Sequence, residues 1–206
     1  MLADFDEEMR EKFASVLAGV DEAGRGPWAG PVVTACVILS SKCAILHDIN
    51  DSKKLSQKKR EELFLKIQKE AEDFSICVVD EKIIDKINIL EATRQGFKRS
   101  VLCLNKKPGM ILVDGISSVP DITIKQLCIP QGDGKSACIA AASILAKVTR
   151  DNIMQSMDKL YPGYEFGKHK GYGTALHYKL IKEMGALPIH RKSYKPIQEI
   201  IFNEQS

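Results

Sequence analysis

Two adjacent acids, Asp21 and Glu22, end an apolar run (Val16, Leu17, Ala18, Val20) and stand just before the turn-forming Gly24-Arg25-Gly26. On a strand, neighbouring side chains point to opposite faces, so one of the pair must face the interior or a cleft. An unpaired carboxylate there is costly, and a divalent cation would remove that cost. Asp114 repeats the pattern: it ends the apolar run Met110 to Val113 and precedes Gly115, which lets the chain turn. In open α/β sheets, sites assemble at the carboxyl ends of strands, so Asp21, Glu22 and Asp114 can converge there. Hard oxygen ligands of this kind suit Mg2+ or Mn2+ rather than zinc. The first two acids also have a plainer use. They can open a tight hairpin in which Gly24 and Gly26 supply positive φ and Arg25 pairs with an acid.

The elements that must position these acids follow from periodicity. Val32 to Leu39 is a nearly continuous apolar run with β-branched residues and reads as a buried strand. Ser56 is a candidate N-cap for a helix to about Glu72, with Leu63, Ile67 and Ala71 on its inner face. Ser75 to Val79 reads as a strand, 89–104 as a helix ended by Lys107-Pro108-Gly109, and Ile122 to Ile129 as a weaker strand. After the break at 130–134, a long helix runs from Ser136 to about Leu160, Ala-rich in its first half so that another element can pack closely. A Gly-rich, aromatic segment over 163–174 leads to a helix from Thr174 to Met184 with a stripe of Leu176, Leu180, Ile181 and Met184. Hairpin strands followed by alternating helices and strands imply an α/β fold, a mixed sheet covered by helices.

With 206 residues the chain fits one domain of ordinary size. Hydrophobic content of 44% with 28% charged residues is that of a globular protein. No apolar run reaches the length of a membrane span, and the N-terminus is acidic (Asp4, Asp6, Glu7, Glu8, Glu11), unlike a signal peptide. The chain is therefore expected in the cytoplasm, away from membranes. Six cysteines without Cys-x-x-Cys spacing read as reduced core thiols, and the four histidines show no metal-ligand spacing. Charge is uneven: residues 147–195 carry ten Lys and Arg against four Asp and Glu, whereas residues 1–14 carry five acids against two bases. A basic C-terminal third suits a polyanionic partner, although a solvated charged surface would look the same.

The string GVDEAGRGP at 19–27 resembles the signature of the type 2 ribonucleases H, in particular bacterial ribonuclease HII. Further matches follow in order: DSKKLS at 51–56, ILVDG at 111–115, GDGKSACIAAASILAKVTRD at 132–151, YPGYEFGKHKGYGT at 161–174 and HRKSY at 190–194. The resemblance implies a ribonuclease H-like mixed sheet flanked by helices, with a small helical C-terminal extension. It divides the chain into an N-terminal segment 1–15, a catalytic core 16–160 and a helical, substrate-binding segment 161–206. It makes Asp21, Glu22 and Asp114 ligands of two Mn2+ or Mg2+ ions, and it matches the fourth acid to the Gly-Asp before the Ala-rich run, which is Asp133. Asp151 lies 18 residues further on, about 27 Å along an unbroken helix, so the two cannot serve one site; Asp151 is expected to be structural, pairing Lys147 or Arg150.

The implied activity is endonucleolytic cleavage of the RNA strand of RNA–DNA hybrids and of single ribonucleotides embedded in duplex DNA. Cutting falls on the 5′ side and leaves 3′-hydroxyl and 5′-phosphate ends. The resemblance assigns Gly24, Arg25 and Gly26 to the ribonucleotide and Tyr172 to the sugar of the following deoxynucleotide. Lys53, Lys54, Lys147, Arg150, Lys168, Lys170, Arg191 and Lys192 are candidates for phosphate contact. The expected state is a monomer. Two rivals are a ribonuclease HIII-like enzyme and a non-catalytic nucleic-acid-binding module on the same fold. The first carries an extra N-terminal domain for which the residues before Val16 are too few, and the second gains nothing from acids facing phosphates.

Overall fold

The computed structural model describes residues 2–49 and 55–204. Five strands form one sheet in the order β3-β2-β1-β4-β5: β1 (Leu17–Ala23), β2 (Val32–Ile38), β3 (Asp73–Val79), β4 (Met110–Asp114) and β5 (Lys125–Ile129). β2 is antiparallel to both β1 and β3, whereas β1, β4 and β5 run parallel. This is the mixed sheet of an α/β fold. Helices α1 (Leu2–Lys12), α2 (Gln57–Glu70), α3 (Glu81–Leu102), α4 (Ala137–Leu160), α5 (Phe166–His169), α6 (Ala175–Met184) and α7 (Lys195–Glu204) complete it.

Alternation along β1 and β4 assigns the faces. Ala18, Val20, Ile111 and Val113 pack with Phe97 and Val101 of α3, while Leu17, Met110 and Leu112 pack with Ile139 of α4 and Met9 of α1. α4 lies close because β1 has Gly19 where they cross; a β-carbon there would overlap the main chain of Cys138. The Ala-rich first half of α4 is buried against Val33, Ala35 and Val37, as its composition implied. Its start is capped twice. Ser136 Oγ accepts from Ile139 N at 3.2 Å, and the buried Asp6 carboxylate of α1 accepts from Cys138 N at 2.9 Å.

Several boundaries differ from the periodicity. α3 starts eight residues before position 89, where Asp80 Oδ1 accepts from Ile83 N, and it is interrupted at Asn88 (φ 66°, ψ 166°). Asn88 Oδ1 accepts from Leu90 N and Glu91 N, so it caps the second stretch, and the 89–104 pattern had marked only that part. β5 keeps only the last five residues of the 122–129 run. On α6 the buried face is His177 and Ile181, while Leu176 and Met184 are exposed. The cysteines are unbonded as expected, but only Cys36 and Cys138 are fully buried, and Cys103 is exposed.

The missing stripe on α6 is explained by histidines. His169, His177 and His190 cluster around Phe166 and Tyr164, with the His169 and His177 rings stacked at 4.1 Å. Burial pulls His177 down to about 3 and His190 to about 4, and lowers His169 as well. All three are neutral in the fold near pH 7, whereas an unfolded chain protonates them below about pH 6.5. Stability from this cluster is complete above that pH and is lost as pH falls toward the folded values. The raised carboxyls of Asp6 and Asp21 act in the opposite direction, so the comparison is with His169→Gln, which titrates one histidine fewer. Urea midpoints should fall more between pH 7 and pH 5 for wild type than for the variant; equal falls would contradict the assignment.

Candidate active site

The register Leu17↔Met110 to Val20↔Val113 brings Asp21 and Asp114 level just past the last parallel pair, with Asp114 closing β4 and Asp21 two residues before the end of β1. Both continue the α4-facing series of their strands, and Glu22 takes the opposite face, as the alternation required. Asp21 is only 4% exposed, and Ser143 of α4 hydrogen-bonds its carboxylate. Burial, with the charges of Glu22 and Asp114 close by, pushes the Asp21 carboxyl well above the usual range. Asp114 Oδ1 accepts from Gly132 N at 2.6 Å, which ties β4 to the 3-10 turn Gly132–Gly134 and sets the buried Asp133 beside it. Asp151 instead pairs with Lys147 Nζ at 2.8 Å, one of the two partners expected for it.

Among the described residues, no three of His, Cys, Asp and Glu close into a set at metal-coordinating spacing. The donor set nevertheless suits a hard divalent cation. It consists of carboxylate oxygens alone, and burial together with like charges holds Asp21 up in a way that a cation would reverse.

Beside these acids runs the turn after β1. Gly24 has φ +100°, and a β-carbon there would overlap the Arg150 side chain. Gly26 differs: its φ is not positive, it is exposed, and a β-carbon would sit 3.7 Å from Tyr172 Cε1 in ordinary contact. Of the two glycines expected at positive φ, only Gly24 is there. Arg25 is exposed and approaches Glu22 Oε1 at 3.6 Å, a weak surface pair.

Two guanidinium groups hold this turn from behind. Arg150, 1% exposed, donates to the carbonyls of Ala29, Pro31 and Lys170 at 3.0–3.1 Å. Arg191, fully buried, donates to Gly24 O at 2.6 Å and to Arg25 O and Gly30 O at 2.9 Å. Neither is available to a phosphate, which corrects the expectation that these two arginines contact the substrate backbone. Charge in a sequence reads as surface, and only the fold shows distant carbonyls converging on these side chains. The turn is also docked on the 169–173 segment. Trp28 N donates to Gly171 O at 2.8 Å, and a β-carbon on Gly173 would overlap the Trp28 ring.

The result is a cavity of about 220 Å³ lined by Glu22, Gly24, Arg60, Ser143, Lys147, Arg150 and Tyr172. Ser143, Lys147 and Arg150 sit at i, i+4 and i+7, one stripe of α4 facing the site. Tyr172 is 45% exposed, with its ring 5.9 Å from the Arg150 guanidinium carbon. Lys170, in the left-handed region at φ 51°, stands two residues before it. On the other side of Glu22 lies a groove of about 340 Å³ lined by Arg25, Arg94, Phe97, Asp114 and Ile116. Arg60 and Ser143 belong to no chemical motif of their own, although Ser143 lies inside the Ala-rich run of α4. Lys168 pairs with Glu165 at 2.6 Å. Lys53 and Lys54 lie outside the described residues.

Comparison with known proteins places this site in context. The family model for ribonuclease HII matches residues 18–197. The chain is 51% identical to the ribonuclease HII of Endomicrobium trichonymphae over 197 residues, covering 96% of this chain and 93% of that one. It is 52% identical to the ribonuclease HII of Caldanaerobacter subterraneus over 190 residues, 92% of this chain and 78% of the relative. Among solved structures, the ribonuclease H2 of Pyrococcus horikoshii superposes with a TM-score of 0.77 at 29% identity, covering 93% of this chain and 99% of that one. A Bst ribonuclease HIII solved in complex with Mn2+ shares the fold at 17% identity, with a TM-score of 0.71, covering 91% of this chain and 70% of that one. With a family model spanning nearly its whole length and relatives at half identity, the chain belongs to the ribonuclease HII family.

Proposed function

We propose that this ribonuclease cuts the RNA strand of RNA–DNA hybrids, and duplex DNA at single embedded ribonucleotides, on the 5′ side of the ribonucleotide, leaving 3′-hydroxyl and 5′-phosphate ends. One observation carries the reading: the acids in the last residues of β1 before the turn and at the end of β4 stand next to a main-chain turn locked in place by buried arginines. Asp21, Glu22, Asp114 and Asp133 would hold two divalent ions, Mg2+ or Mn2+. Bound there, the ions supply positive charge to the scissile phosphate and to the attacking water.

The remaining steps belong to the chain. Gly24 and Gly26 offer main-chain groups to the 2′-hydroxyl, which is both donor and acceptor and distinguishes RNA from DNA. Arg25, Lys147 and Lys170 face the phosphates, Lys53 is assigned the same role, and Tyr172 covers the sugar that follows. In this reading residues 16–160 form the catalytic core, 161–206 the substrate-binding segment, and 1–15 a segment outside both roles. The protein acts as a monomer in the cytoplasm, where its unbonded cysteines fit a reducing compartment. No described helix is long and apolar enough to cross a membrane.

The test is cleavage of a DNA duplex containing one ribonucleotide, in Mn2+ and in excess chelator. Cutting should require the metal, and the circular dichroism of the chelated protein should be unchanged. Under limiting metal, Asp133→Asn should lose on the order of 100-fold or more in rate, whereas Asp151→Asn, which breaks only the pair with Lys147, should cleave nearly as wild type. A folded but inactive Asp151→Asn beside a normal Asp133→Asn would reverse the assignment.

The two glycines separate structural from substrate roles. Gly24→Ala must displace Arg150 and should destabilise the protein. Gly26→Ala has room within the protein, so stability should change by less than about 0.5 kcal/mol. Its methyl group would stand between main chain and ribose, and cleavage should fall on the order of 100-fold. Full activity in Gly26→Ala would remove this turn from substrate recognition.

A further inference from the structure

The buried histidines form a directed chain that ends on the main chain of Tyr172. Leu187 N–H donates to His190 Nδ1 at 2.7 Å, so that nitrogen is the acceptor and the ring proton sits on Nε2. A proton on Nδ1, directed to Leu187 O at 3.3 Å, would instead face the Leu187 amide hydrogen at the shorter contact. His190 Nε2 meets His177 Nε2 at 3.0 Å; the first donates, so the second accepts. His177 therefore carries its proton on Nδ1, which donates to Tyr172 O at 2.9 Å. The third histidine holds the preceding residue: Gly171 N donates to His169 Nδ1 at 3.1 Å while His169 Nε2 donates to Tyr164 O at 2.7 Å. Each ring keeps one proton and each tautomer is determined by the next contact.

Charge at this chain would break it, because a second proton on His177 or His190 would set donor against donor. The cluster faces Tyr164 and Phe166 from the 164–169 segment and Trp28 from the turn. The relay thus spans from Leu187 to the residue whose ring lies over Gly26.

We propose that His177 and His190 are positioning residues for substrate selection: their relay fixes the Tyr172 main chain, and with it the height of the Tyr172 ring over the Gly24–Gly26 turn. This rests on the reading that Tyr172 covers the sugar of the deoxynucleotide following the ribonucleotide. Losing the donor to Tyr172 O, or the His190 proton that sets the His177 tautomer, then weakens cleavage at a single embedded ribonucleotide more than cleavage within continuous RNA.

Substitutions that keep one end of the His177 ring test this. His177→Asn retains a donor near Nδ1 for Tyr172 O and gives up the contact with His190. His177→Gln retains a polar group near Nε2 and loses the donor to Tyr172. The readout is the ratio of cleavage rates on the two substrates at one salt concentration, measured for wild type, both variants and Tyr172→Ala. An unfolded fraction lowers both rates equally, so a merely structural effect leaves the ratio alone. Tyr172→Ala and His177→Gln should lower the ratio by about three- to tenfold, and His177→Asn should keep it near wild type. If His177→Gln does not fold, His190→Asn takes its place, since it removes the proton that orients His177 and should lower the ratio in the same direction. A lowered ratio in Tyr172→Ala with no change in folded His177→Gln or His190→Asn would overturn the relay and leave the role of Tyr172 standing. Equal loss in His177→Asn and His177→Gln would overturn it as well, because the ring rather than its donor would then matter. No change in Tyr172→Ala would overturn the reading of Tyr172 and the inference with it.

Discussion

Two buried guanidinium groups, Arg150 and Arg191, hold the active-site turn by its carbonyl oxygens, and the arrangement of the site depends on them. Together they satisfy the carbonyls of Gly24, Arg25, Ala29, Gly30, Pro31 and Lys170. Burial, with the like charge of Arg191 nearby, brings Arg150 down to about 10, and burial lowers Arg191 too. Carbonyl dipoles in fixed directions are what keep such groups tolerable in the interior. The planar fork presents donors in fixed, widely spread directions, which the compact ammonium of a lysine does not. Removing either arginine would leave buried carbonyls without donors, and the turn would have no reason to keep its shape.

That constraint joins three parts of the chain. α4 supplies Ser143 to the Asp21 carboxylate, Lys147 to the cavity and Arg150 to the turn from a single stripe. The stripe keeps its position because Gly19 lets the helix lie against β1 and because Ser136 and Asp6 cap its first turn. Arg191 brings in the C-terminal segment, assisted by Tyr194, whose hydroxyl donates to Arg25 O at 2.6 Å. On the proposed reading, acids that would hold metal and a turn that would read ribose must be placed relative to each other within a fraction of an ångström. Here the same helix sets both.

Much of this was legible in the residues. The acids closing apolar runs, the strand after the turn, the Ser56 cap and the close packing of the Ala-rich helix all follow from local rules, and the structure has them. What escaped depends on partners distant in sequence. Arg150 and Arg191 look like surface cations until carbonyls more than a hundred residues away close around them. His177 interrupts an apolar stripe, and its burial makes sense only with His190 as partner. Asn88 breaks α3 and caps its remainder, a double role that no periodicity reveals. Gly24 and Gly26 flank Arg25 alike in the chain, and only the fold separates Gly24, at positive φ against Arg150, from the open Gly26.

The most direct measurement is a crystal structure of the Asp133→Asn protein with Mn2+ and a DNA duplex bearing one ribonucleotide. The account requires the 2′-hydroxyl within hydrogen-bond distance of the Gly24–Gly26 main chain, with Arg150 and Arg191 still on their carbonyls and away from every phosphate. A structure in which either arginine leaves the turn to bind a phosphate, or in which the ribose lies away from the turn, would contradict it.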